Sequence, residues 1–457
     1  MSKKISGIVA LVGVCALSIF LLNCGSSSSR PAGVLYVLTQ GSNGVGNNVS
    51  SFALDLNSGN LSLINSNAAT CKTAGTCGAP LDILLDPAGA HAFVLNQGIP
   101  CIVQQGTLQC IPNSGPPVAP SIYAYSVGSD GSLSAAGNPV MWTGTDTAVQ
   151  MVMDQAGQFL FVINQGVFPR NTNCPLIASS SSTYVGCPSI SVFGVSGATL
   201  TLQTGSPLYV SKLPTGISRI TFTNSTGTAQ ELLFVSNNQD ICTPPGCGNN
   251  DNTVSEYAVS TTGALTEQPN SPYAIAASNP VSVIAVNTNP SGSNTGGVFV
   301  FVGNQASETG SVTPFQLCTV QNNNNCNLQQ VNANLMFPVT CPPQATCSVS
   351  AGQLPVAMVV DPTNNFLYVV GELSNTVNGF RINTSQGTLA TLGIEQTGTQ
   401  PISIGLHPSV GNTGEYLYVS NSGSDNISGF TIGTTTGIMS SPITVIAPAT
   451  PTGLVAH

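Results

Sequence analysis

PTGLVAH, residues 451–457, ends the chain and has six counterparts upstream. They are PLDILLD (80–86), AVQMVMD (148–154), PTGISRI (214–220), PVSVIAV (280–286), PVAMVVD (355–361) and PISIGLH (401–407). After each of the six comes a strand marked by an aromatic residue: Phe93, Phe161, Phe234, Phe301, Tyr368 and Tyr418. A polar turn, a Ser/Thr/Asn-Ile/Val-Ser strand and a weaker Leu-initiated strand complete the unit. The seventh copy is split between the chain ends. Tyr36 marks a second strand that starts at Val34 without a first strand before it, and PTGLVAH is a first strand with nothing after it. Short strands repeating at this period read as blades. The expected fold is all-β: a seven-bladed β-propeller with four antiparallel strands per blade, closed by the C-terminal strand completing the first blade.

Composition agrees. Charged residues make up only 5% of the 457, whereas exposed helix faces usually carry Glu and Lys. No stretch sustains a 3.6-residue apolar period. Three segments follow: a leader at 1–24, a flexible tether at 25–33, and the propeller at 34–457.

Lys3 and Lys4 precede the apolar run Ile5–Leu22, and Asn23-Cys24-Gly25 and a serine run come next. That order is the one a secretory signal has. LLNC before GSSSS resembles a bacterial lipoprotein signal, which implies Cys24 as the lipidation site and new N-terminus. An uncleaved anchor is the other reading, since 18 apolar residues barely span a bilayer. Either way the propeller is expected outside the cytoplasm, in the cell envelope and held to a membrane. Without Lys3 and Lys4 the chain carries six basic residues against 17 acidic ones, a net charge of −11. Nucleic acid is excluded as a partner, because backbone binding needs clustered cations.

Twelve further cysteines fall into close pairs: Cys71/Cys77, Cys101/Cys110, Cys174/Cys187, Cys242/Cys247, Cys318/Cys326 and Cys341/Cys347. An even count in an exported chain argues for disulfides, with local pairing the simplest connectivity. Zinc is disfavoured, as no pair has CxxC spacing and no histidine is close. Neither a metal nor a cofactor is expected, and no GxSxG, HExxH or EF-hand pattern appears.

Aligning the repeats marks two polar columns at one mouth of the ring. Two residues after each strand-opening proline, or Ala148, stand Asp82, Gln150, Gly216, Ser282, Ala357, Ser403 and Gly453, a column expected to face the axial channel. The residues one, three and five after the proline are expected to pack between blades. Four residues past each aromatic stand Gln40, Gln97, Gln165, Asn238, Gln305, Glu372 and Ser422. Gln40, Asp82, Gln97, Gln150, Gln165, Asn238 and Gln305 are the ligand-binding candidates; satisfying turn backbone is the other role open to them. Five of the six cysteine pairs, and the long excursions 98–120, 166–188 and 239–252, map to the same rim, where binding function usually sits. Lys72, Arg170 and Lys212 map there too. Arg219 breaks its column, standing where other blades have Leu85, Met153, Val360 and Leu406. It reads either as an ion pair with Glu231 or Glu256 or as a ligand contact. His91, His407 and His457 read as structural.

The repeats LFVSNNQ…NTVSEYAV, LYVVGELSNTVNGFRI and LYVSNSGSDNISGFTI resemble YVTN-type propellers and the lactonase-like seven-bladed family that includes bacterial 6-phosphogluconolactonases. The resemblance implies Glu372, within Glu372-Leu373, as acid/base. Val356 and Ala357 stand where the family has an Arg-His pair, and Gly371 replaces an asparagine. Two functions stay open. One is a monomeric envelope propeller that binds a small molecule, glycan or protein partner at its mouth. The other is a divergent lactonase using Glu372, with Arg219 or a rim lysine holding the anion.

Overall fold

The structure, a computed structural model, describes residues 33–41, 47–70, 78–98, 101–104, 107–110, 119–142, 147–165, 187–210, 212–223, 229–238, 252–275, 277, 279–288, 297–305, 309–318, 335–341, 345–346, 348–408, 414–447 and 450–457. The leader, Cys24 and the tether to residue 32 lie outside the described residues. So do Cys71, Cys77, Cys174, Cys242, Cys247, Cys326, Cys347, Lys72, Arg170 and most of the three long excursions.

Among the described residues, seven small antiparallel sheets form the ring, with two two-stranded hairpins beside them. Blade six shows the plan: Pro355–Val360 is innermost, and Phe366–Gly371, Thr376–Ile382 and Leu389–Gln396 follow outward. In blade one the innermost strand is Thr450–Ala456, paired with Val34–Gln40. Val34 and His457 exchange both backbone hydrogen bonds, at 2.8 and 2.9 Å. The chain ends therefore close the ring, as the split seventh repeat predicts.

Second strands form the cores. Each is buried along almost its whole length, as in Phe366–Gly371 and Val298–Asn304, because apolar seams lie on both its faces. The aromatic column has a further task. Tyr36, Tyr368 and Tyr418 donate hydroxyl hydrogen bonds to the carbonyls of Gly131, Gly437 and Gly59 in the next blade, at 2.8–3.0 Å. Two residues earlier in each strand, a side chain covers the same turn: Tyr416 over Gly59, Phe159 over Gly263, Phe299 over Gly387 and Phe366 over Gly437. These glycines have φ near +70°, which other L residues adopt at a cost, and an added Cβ would overlap the ring.

The inner strands depart from simple alternation. In all seven blades the register slips by one residue just after the opening proline or Ala148. A bulge of this kind re-aims side chains. Consequently Leu81, Val149, Thr215, Val356, Ile402 and Thr452, expected to pack between blades, line the axial cavity beside the polar column.

Deleting residues 451–457 should abolish the cooperative thermal transition, because it leaves Val34–Gln40 and two neighbouring blades uncovered. Gly437→Ala should cost about 2–4 kcal/mol through backbone strain plus overpacking against Phe366, read as a lowered Tm.

Candidate functional site

An axial cavity of about 640 Å³ runs along the innermost strands. Its lining is Leu, Val, Ile and Met with a few polar side chains, and Asp82 and Arg219 are the two charged residues in it.

Most of those polar groups serve the neighbouring blade. Thr452 Oγ1 donates to Pro80 O (2.6 Å), Thr215 Oγ1 to Pro280 O (2.8 Å) and Ser282 Oγ to Pro355 O (2.6 Å). In the other direction, Met151 N–H donates to Asp82 Oδ2 (2.9 Å), Ile217 N–H to Gln150 Oε1 (3.0 Å) and Leu454 N–H to Ser403 Oγ (3.2 Å). Six of the seven seams thus carry a tie between axial strands. At the seam of blades six and seven the column offers Ala357, and no such tie occurs among the described residues. Each bond contributes roughly 0.5–1.5 kcal/mol net. Asp82 and Gln150 thus line the cavity while their oxygens are engaged.

The second column stands at the proline end. The backbone N–H groups of Gln97, Gln165, Gln305, Glu372 and Ser422 donate to Ala79, Thr147, Asn279, Leu354 and Gln400, each just ahead of a first strand. Gln165 Nε2 also reaches Pro214 O at 3.1 Å. Gln40 pairs with Thr450 and is exposed, and Asn238 pairs with Leu213. Glu372 differs: its side chain is half-buried, burial alone raises its pKa, and no described group bonds its carboxylate. It lies outside the cavity lining, one residue beyond Gly371, which pairs with Pro355.

Arg219 is at the opposite end. Its Nη1 donates to Gln155 Oε1 at 2.7 Å and lies 4.0 Å from Glu231 Oε1, which accepts the Gln155 N–H at 3.0 Å. Arg219 therefore fastens blade four to the turn of blade three. Glu256, its other expected partner, instead accepts from Tyr273 Oη at 3.0 Å. Five residues of strand separate Arg219 from the proline end, roughly 15 Å. Of the two roles expected of Arg219, the contacts among the described residues show the ion pair with Glu231.

His91 makes a 2.7 Å contact with Asp86 Oδ2, within the turn that Asp86 also caps by accepting from Ala90 and His91 N–H. Asp154 and Asp361 cap the matching turns. Cys187 is disulfide-bonded and fully buried against Tyr209. Cys101 and Cys110 are register partners in a small hairpin, and Cys341 lies in another that interrupts the outer strand of blade five. Among the described residues no three His, Cys, Asp or Glu are grouped to hold a metal ion, and no helix is long and apolar enough to cross a membrane.

Two buried carboxyls escaped the column alignment. Glu256 sits beside Phe234 in the ladder of blade four, in the apolar seam with blade five, and its Oε1 has no partner. Glu415 is buried with Oε1 unpartnered, and Asp361 adds repulsion. The available signal was that Glu231 and Glu415 both stand three residues before the aromatic. Burial raises both Glu256 and Glu415 to about 7, and Asp82 to about 6.

All three carboxyls hold a proton more tightly folded than unfolded. Their stabilisation is complete below the unfolded values near 4 and is lost as pH rises through 6 and 7. Tm should accordingly fall between pH 5 and pH 7.5, and the Glu256→Gln, Glu415→Gln double variant should flatten that slope.

The family model for lactonases with a seven-bladed β-propeller matches residues 338–445, a span that includes Glu372. A proposed 6-phosphogluconolactonase of Bacteroides uniformis superposes with a TM-score of 0.61 at 12% identity, covering 94% of this chain and 100% of that one. Another from Bacteroides fragilis gives 0.57 at 16%, covering 93% and 98%. The periplasmic gluconolactonase of Pseudomonas aeruginosa gives 0.57 at 15%, again covering 93% and 98%. No curated relative matches. At these identities the structural likenesses carry the fold alone: the chain is a seven-bladed β-propeller, of which residues 338–445 match the lactonase model.

Proposed function

We propose that the protein is a lipid-anchored, extracytoplasmic propeller that binds a small ligand, glycan or protein partner at its proline-end mouth without turning it over. The separation of Glu372 from Arg219 carries this reading. Opening a lactone takes a base for water and donors for the developing oxyanion in one place. Here the carboxylate stands at one end of the ring and the cavity's guanidinium at the other. The first strand of its blade opens with Pro355, Val356 and Ala357, which supply no cationic side chain. Asp82 and Gln150 contribute to the mouth as rigid braces rather than as free donors.

A divergent lactonase remains a second reading, favoured by the half-buried, unpartnered Glu372 within the span the family model matches. The gluconolactonase named among the structural relatives points to aldonolactones as substrates to try. A chain starting at Ser26 is assayed for aldonolactone hydrolysis and for ligand-induced rises in Tm. Binding without hydrolysis is the expected outcome, with Glu372→Gln altering the Tm shift. Hydrolysis above background that Glu372→Gln abolishes would establish the lactonase instead.

A further inference from the structure

Two seams of the ring set a turn aspartate against a glutamate of the next blade. Asp154 and Asp361 follow the first strands of blades three and six, and Glu231 and Glu415 stand three residues before the aromatics of blades four and seven. That position packs on the preceding blade's turn. Gln155 N–H donates to Glu231 Oε1 at 3.0 Å. At Gly33, where the chain enters the ring three residues before Tyr36, an added Cβ would come within 2.8 Å of His407 Nε2 in the turn of blade seven. Glu415 obeys the same rule: burial and the nearby Asp361 both push its carboxyl up, and burial, Glu415 and Asp361 together push up the Tyr368 hydroxyl.

The two seams differ in what answers the charge. Between blades three and four, Arg219 Nη1 lies 4.0 Å from Glu231 Oε1 and is drawn to Asp154 as well. Gln155 supplies an N–H to Glu231 and an oxygen to the guanidinium. Between blades six and seven, Leu406 replaces Arg219, and Pro362, which has no N–H, replaces Gln155. Glu415 is 3% exposed, yet its Oε1 has no partner. Asp361 is equally buried, and its oxygens accept the Thr363 hydroxyl and the N–H groups of Thr363, Asn365 and Phe366. It adds charge to the cleft and offers Glu415 no donor. A buried carboxylate with neither counter-charge nor donor is costly. This is also the seam at which Ala357 leaves the axial strands without a tie among the described residues.

We infer that a calcium ion bound between Asp361 and Glu415 takes the place that the Arg219 guanidinium holds one half-turn of the ring away, and fastens blade seven to blade six. Carboxylate oxygens suit a hard divalent cation. Calcium fits an enclosed cleft better than magnesium, which gives up its water reluctantly. Two acidic side chains are fewer than a tight site has. Backbone oxygens and water would complete the shell, and the affinity falls at roughly 0.1–1 mM. The ion lies at the end of the ring away from the mouth, so it stiffens the blade that carries Glu372 without touching a ligand there.

The chain starting at Ser26 contains the whole closed ring. It is stripped with a chelator, and its Tm is followed at pH 7.5 as calcium chloride is added at constant ionic strength. Calcium at about 10 mM should raise Tm by about 3 °C, and Glu415→Gln, which keeps the side chain's shape, should abolish the rise. Leu406→Arg combined with Pro362→Gln copies the seam of blades three and four, and should make Tm insensitive to calcium. Terbium luminescence excited through tyrosine gives a readout apart from stability. It should titrate to one calcium-displaceable ion per chain and be lost in both variants. No rise in Tm with calcium would overturn the proposal and leave a proton to neutralise the pair. An equal rise with potassium would overturn it as general screening. A rise or a terbium signal that Glu415→Gln retains would overturn it too, placing the ion on exposed acids such as Asp55 and Asp130.

Discussion

Everything in this molecule depends on a ladder formed between residues far apart in sequence, the pairing of Val34–Gln40 with Thr450–Ala456. A single blade cannot bury both faces of its sheet, and seven in a row would still leave two faces bare. Joining the chain ends removes those faces. The apolar seam of Phe52, Tyr416, Tyr418 and Leu454 can then form between blades seven and one as it does elsewhere. The cost is loop-closure entropy over almost the whole chain, which grows only slowly with length.

Neighbouring blades are joined by two sets of polar contacts at different radii. Close to the axis, short side chains bridge backbone to backbone. Farther out, tyrosine hydroxyls reach glycine carbonyls of the next blade. Both sets rely on the sequence having placed a small or polar residue where apolar packing would otherwise be the default. Blade six departs from the inner pattern at Ala357 yet keeps the outer one through Tyr368 and Gly437.

The repeat alone made the fold legible: prolines, aromatics and the split seventh copy correspond to strands, cores and closure in the structure. The bulge was not legible, because a one-residue slip leaves no mark in an apolar-polar pattern that tolerates Thr and Val equally. Its effect was to bring six residues assigned to the seams to the cavity wall. For the site, the columns located Glu372 and the mouth, but a column says nothing of what an oxygen is bonded to. Asp82 and Gln150 are engaged across seams, and the burial of the Glu256 and Glu415 carboxyls was not legible because it is set by packing against other strands and blades. Arg219 shows the limit in part: Glu231 was among its expected partners, whereas Gln155, 64 residues away in sequence, was not.

The entry point at Gly33 also decides how the protein bears load. A pull on the N-terminal segment runs along Val34–Gln40, a strand held on both sides by antiparallel partners. Force in that direction shears two ladders at once, and many hydrogen bonds must yield together rather than unzip one by one. The strand that closes the ring is thereby also its mechanical clamp, and a propeller held by this end resists extension where it is attached.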